Sequence, residues 1–158
     1  MSSPYLISYR GTFDLDHPPA AIWARLIDVA SYASGWRWIS NLEVHPTPLE
    51  PGAQLSFVAT APIPYRVHIE LEIQRMVIGR SIHARVRRDL DGTGSIELAP
   101  HGAGTRATLS WEVEMQRRSL KIAARTARPV LLLGHDWAVR AAIASFRRGL
   151  TPETDNGQ

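Results

Sequence analysis

Few side chains in this chain have the type and spacing to do chemistry. A metal site needs two or more His, Asp or Glu side chains brought together at ligand spacing. Of the six histidines, His17, His45 and His101 fall in expected turns, and His68 and His83 point to the outer face of their strands by parity. His135 is left, and no metal and no cofactor is expected. The absence of cysteine removes thiolate ligands, disulfides and thiol nucleophiles, and no serine sits in a strained glycine-flanked turn after a strand. General acid or base work is what stays open. On a helical wheel His135 falls roughly 60° from the centre of the inward face, near Val139 and Phe146, where an imidazole could exchange a proton with a bound carbonyl. The competing reading is a helix-flank histidine bonded to backbone or water.

A second group is aromatic. Trp36, Trp38, Phe57, Tyr65 and Trp111 all take inward parity on expected strands, so they either fill a core or wall a pocket whose indole and phenol groups orient a ligand. The choice depends on what faces them. Residues 117–149 read as one long helix, rich in alanine and leucine and free of strand or turn signals. Its expected inward face carries Leu120, Ala124, Ala127, Leu131, Gly134, Ala138, Ala141, Ala142 and Ser145, with Asp136, Arg140 and Arg147 opposite. Small residues facing large aromatics leave room between them, so Leu131, Gly134, His135 and Ala138 join the five aromatics as candidate ligand contacts.

The elements that position these residues follow in order. Tyr5, Ile7, Tyr9 and Phe13 alternate with polar neighbours as a first strand of about nine residues. Asp16 stands where a helix N-cap belongs, before Pro18 and Pro19. Ile22, Trp23, Leu26 and Ile27 then mark a short amphipathic helix ending before Ser34 and Gly35. From Trp36 the period becomes two for about eighty residues. Trp36, Trp38, Leu42 and Val44 share a face, with Ile39 out of step; Leu55, Phe57 and Ala59 continue it. The loop 61–64 is apolar, punctuated by proline, and expected at a cavity rim. Tyr65, Val67, Ile69, Leu71 and Ile73 form the clearest half-buried strand, and Ile82, Ala84 and Val86 return from Gly79. Residues 89–94 are expected to turn, Ile96 and Leu98 to form a short strand, residues 100–105 to turn again, and Ala107 to Met115 to finish the sheet. Glu70 and Glu72 share the outer face with arginines, so exposed cross-strand ion pairs are expected.

The chain of 158 residues, 44% hydrophobic and 21% charged, is expected to be one domain over residues 1–150 with a frayed tail at 151–158. No apolar run approaches the ~20 residues of a membrane span, and the N-terminus lacks the pattern of a signal peptide, so a cytoplasmic protein without stable membrane insertion is expected. The net charge of +3 comes from arginines and the single Lys121. Such sparse basic residues mark a solvated face rather than a nucleic-acid site. An open sheet has edges, which leaves room for a homodimer.

Ile22-Trp23, Leu26, Asp28, Tyr32 and Trp36, then Leu90-Asp-Gly-Thr-Gly, then Gly104-Thr105, then His135-Asp136, resemble the polyketide cyclase/dehydrase and lipid-transport branch of the START-like (Bet v 1-like, SRPBCC) superfamily. The resemblance covers about residues 5–149. It departs where the family often carries an aromatic after the glycine pair and this chain has Ile96. It implies an α+β helix-grip fold: about seven antiparallel strands curved around the long C-terminal helix, one or two short helices after the first strand, and a hydrophobic cavity between sheet and helix. The expected function is binding or transport of a hydrophobic small molecule, a lipid, isoprenoid or polyketide. The alternative is a polyketide aromatase/cyclase, promoting aldol condensation and dehydration with His135 and Tyr65 in proton transfer.

Overall fold

The pleat of a strand sends alternate side chains to opposite faces, and the alternating stretches of this chain form one sheet on that principle. The computed structural model describes residues 5–33, 36–60, 66–118, 121–122 and 139–147, and of Tyr32 the backbone alone. The strands are β1 (Leu6–Leu15), β2 (Ile39–His45), β3 (Gln54–Ala59), β4 (Val67–Val77), β5 (Ser81–Arg88), β6 (Leu90–His101) and β7 (Gly104–Met115). They are antiparallel in the order β1-β7-β6-β5-β4-β3-β2, which leaves β1 and β2 as the edges. Two short helices, α1 (Pro19–Leu26) and α2 (Ala30–Ala33), connect these edge strands. Ile22 and Trp23 of α1 pack with Val29 and Ala33 against Leu15, Leu55, Ile73, Ile82 and Leu98, and this core closes one end of the sheet's inner face.

Four local expectations change. Asp16 does not cap α1. The helix starts after Pro18, whose φ of −65° and ψ of 157° are extended, and no side chain caps it. The Pro18 carbonyl accepts from the N–H groups of Ala21 and Ile22 at 3.0 and 3.2 Å. Prolines at the entry remove donors that a cap would otherwise have to satisfy.

The turn expected over residues 89–94 narrows to Arg88, with a left-handed φ of 89°, and Asp89, where β5 reverses into β6; β6 begins at Leu90 and carries Gly92-Thr-Gly94 inside the strand. Glycine permits a turn but does not require one, and pairing with β5 and β7 on both sides holds this stretch extended. The later turn likewise shrinks to Gly102 and Ala103, between the ends of β6 and β7.

The out-of-step Ile39 has a structural cause. The β2–β3 register shifts between Ser40 and Glu43, and Asn41 takes a left-handed φ of 56°. A bulge of this kind turns the strand by one residue, so Ile39 and Leu42 both face inward.

The fourth change concerns the C-terminal segment. Most of the expected long helix falls outside the described residues, but residues 139–147 are helical. Within that stretch Val139, Ala142 and Ile143 face the sheet and Phe146 packs on the core. Ala142 was expected on that face; Val139 and Ile143 take the places expected for Ala141 and Ser145. Val, Ile and Phe bury more apolar area than Ala and Ser, and that difference orients the helix. Arg147 anchors it by donating to the Asp14 carbonyl at 3.0 Å.

On the outer face Arg87 meets Glu72 at 3.1 Å and Arg88 meets Glu70 at 3.2 Å. These exposed pairs contribute about 0–1 kcal/mol each, and mark this side of the sheet as the one in water.

Candidate functional site

The inner face of the sheet, α1 and α2, and the helical segment 139–147 border a half-open pocket of about 510 Å³. That volume lies within the ~300–1,000 Å³ of small-molecule sites. Its walls come from alternate residues of every strand: Ile7 of β1, Leu42 of β2, Phe57 of β3, Leu71 of β4, Val86 of β5 and Trp111 of β7 are examples. Among the described lining residues none is charged.

The described polar groups at the wall are few. Ser95 and Ser110 border it beside Gly94, but they share strand parity with His83 on the other face and bond each other, Oγ to Oγ, at 3.0 Å. The Trp38 indole N–H is buried and meets no acceptor among the described residues. Two aromatic stacks stand in or against the wall. Trp36 and Trp38 lie with centroids 5.1 Å apart at 18°. Tyr9 and Trp111, opposite each other in the β1–β7 register, lie 4.5 Å apart at 24°.

Of the candidate contacts, Trp36, Trp38, Phe57 and Trp111 line this one pocket. Tyr65, Leu131, Gly134, His135 and Ala138 lie outside the described residues. His83 is on the other side of the sheet, in a shallow polar groove with Arg10, Gln74, Thr93 and Glu112. Among the described residues no three His, Asp or Glu side chains converge as a metal site, and no helix is long and apolar enough to cross a membrane. The Asp14 carboxyl is held below its ordinary pKa by its hydrogen bond to Arg106, but it is a surface group away from the pocket.

Sequence reasoning missed the pocket floor. Ala84 and Gly94 sit opposite each other on β5 and β6, both facing the interior, and both line the pocket. The sequence signal was present in the inward parity of Ala84, but Gly94 was hidden by the turn expected around it.

No family model matches the chain, and no curated protein sequence matches it. Solved structures do. TTHA0849 from Thermus thermophilus superposes with a TM-score of 0.76 at 16% identity, over 90% of this chain and 96% of that one. The di-domain ARO/CYC BexL from the BE-7585A biosynthetic pathway gives a TM-score of 0.69 at 17% identity. The match covers 93% of this chain and 50% of BexL, so this chain spans half the length of that protein. Ara h 8.0201 gives 0.56 at 9% identity, over 89% of this chain and 97% of that one. The fold is Bet v 1-like. At these identities the likeness carries the fold and leaves function to the site.

Proposed function

We propose that this protein binds or carries an uncharged hydrophobic small molecule, a lipid, isoprenoid or polyketide, in the pocket between the sheet and the C-terminal segment. The observation that supports it is the wall itself: about 510 Å³ lined by aliphatic and aromatic side chains, with no charge among the described residues. A space of that size filled by water would hold roughly 15 to 20 molecules at bulk density. Apolar walls give those waters few hydrogen bonds, so an apolar guest that displaces them gains free energy in proportion to the area covered. Trp36, Trp38, Phe57 and Trp111 are the proposed contacts within the described residues; Tyr65, Leu131, Gly134, His135 and Ala138 complete the proposed set, in a single domain over residues 1–150.

Native mass spectrometry of gently purified protein, followed by organic extraction, tests this. A discrete extra mass that disappears on extraction is the expected result. A saturating neutral ligand at ~100 times its Kd should also stabilise the fold by about 2.7 kcal/mol, raising the melting temperature by roughly 5–10 °C. No adduct, together with no melting shift across a panel of uncharged apolar compounds, would overturn the reading.

A polyketide aromatase/cyclase is the second reading, and what favours it is that di-domain ARO/CYC proteins stand among the structural neighbours. In that case His135 and Tyr65 carry the proton transfers. His135→Ala should then abolish turnover of a poly-ketone substrate while leaving ligand affinity largely intact; unchanged turnover would remove His135 from the reaction.

A further inference from the structure

Gly94 is unusual because nothing in the backbone requires it. Its φ is not in the left-handed region, which among the described glycines is occupied by Gly52, Gly79 and Gly102. A Cβ added at Gly94 would meet nothing nearer than the Ser110 carbonyl oxygen and the Trp111 Cβ, both at 3.7 Å, an ordinary van der Waals distance. A glycine inside a strand weakens the strand and packs nothing. What it does here is leave space.

That space has a definite place. Across the inner face one register row runs Ile73, Ala84, Gly94, Trp111, Tyr9. Strands lie about 4.8 Å apart, so Ile73 and Trp111 stand roughly 14 Å from each other with only a methyl group and a bare backbone between them. In the next row Gly92 lies between Val86 and Val113, but the β7 backbone occupies the place of its side chain, so the open floor is at Ala84 and Gly94. The floor is therefore broad and low, bounded by aliphatic side chains on β4 and by the indole of Trp111 on β7. A single extended hydrocarbon chain does not need such width.

We propose that Gly94, with Ala84 beside it, sets the ligand specificity of the pocket, by keeping the floor bare next to the Trp111 indole so that a broad, flat, ring-bearing apolar molecule can lie on it. This rests on the reading of the pocket as a ligand site. Gly94 acts through the shape it leaves, and any side chain there would narrow the floor from the centre. A slim chain can still pass beside such a side chain; a rigid ring system cannot.

The test compares Gly94→Ala and Gly94→Val with the unaltered protein, using two uncharged probes. N-phenyl-1-naphthylamine reports ring binding by its own fluorescence, and 12-bromododecan-1-ol reports chain binding by quenching indole emission. The valine variant should bind the naphthylamine at least tenfold more weakly and the alcohol within threefold of the original affinity, with the alanine variant between. Should circular dichroism show that Gly94→Val does not fold, Ala84→Val faces the same criterion and Gly94→Ala must lose more affinity for the naphthylamine than for the alcohol. Unchanged naphthylamine affinity in a folded variant, or equal loss of both probes, would overturn the proposal. If the unaltered protein takes the alcohol and refuses the naphthylamine, the specificity proposal fails while the pocket reading stands. If it takes neither, both fail.

Discussion

Two glycines on the same face of β6, two residues apart, should respond to the same substitution with opposite sign. At Gly94 an added methyl meets only ordinary contacts at 3.7 Å, so Gly94→Ala should recover the ~0.5–1 kcal/mol that a strand glycine costs relative to alanine. At Gly92 the backbone of β7 passes directly over the Cα. A Cβ there would run into the Glu112 carbonyl oxygen, with the Val113 Cα at 2.8 Å and the Glu112 carbonyl carbon at 2.9 Å. Backbone held in the β6–β7 ladder cannot swing aside as a side-chain tip can, so the overpacking cost of ~1–3 kcal/mol applies. After subtracting the same recovery, Gly92→Ala should lose about 0.5–2 kcal/mol. At ~2–4 °C per kcal/mol for a chain of this size, Gly94→Ala melts about 1–4 °C above the original protein and Gly92→Ala about 1–8 °C below it. Calorimetric melts on ligand-free protein, at more than one scan rate, read both shifts. A Gly94→Ala variant that melts lower would show that the glycine is required by the backbone. It would then remove the ground for assigning it to specificity.

Thr105 is the buried polar side chain among the described residues, 1% exposed, and its hydroxyl donates to the His17 carbonyl at 2.7 Å. Thr105→Val keeps the shape and removes the donor, so it should cost about 1 kcal/mol, a fall of ~2–4 °C in melting temperature; no fall would mean the carbonyl finds water equally well. Asp14 has its pKa lowered, first by its hydrogen bond to Arg106. Its contribution to stability is therefore present above the ordinary carboxylate range and lost as pH falls through the lowered folded value. Asp14→Asn should melt slightly below the original protein at pH 7 and converge with it in acid, and added salt should shrink the gap at this exposed site. A gap that widens in acid would contradict the sign.

The stretches that were legible from sequence are those where one face is apolar and the other charged. In β4, Val67, Ile69, Leu71 and Ile73 line the pocket, as their period of two requires, because a strand has no third direction in which to hide them. Trp36, Trp38, Phe57 and Trp111 reach the same wall for the same reason. The outer glutamates and arginines also pair, although Glu72 sits opposite Arg85 in register and bonds Arg87 instead. Long flexible side chains choose among neighbours that spacing alone cannot rank.

Other features depended on partners distant in the chain. The inward turn of both Ile39 and Leu42 comes from a register shift against β3, and Gly92-Thr-Gly94 became strand because β5 and β7 offer hydrogen bonds on both sides. The inward face of residues 139–147 was decided by which side chains could bury the most area against the sheet. By itself, the sequence determined that strands would alternate and which face would be apolar, since both follow from local periodicity. Tertiary structure decided where that apolar face stays empty. The floor at Ala84 and Gly94 is made by two residues ten apart whose meeting, beside Trp111, exists only once three strands are in register.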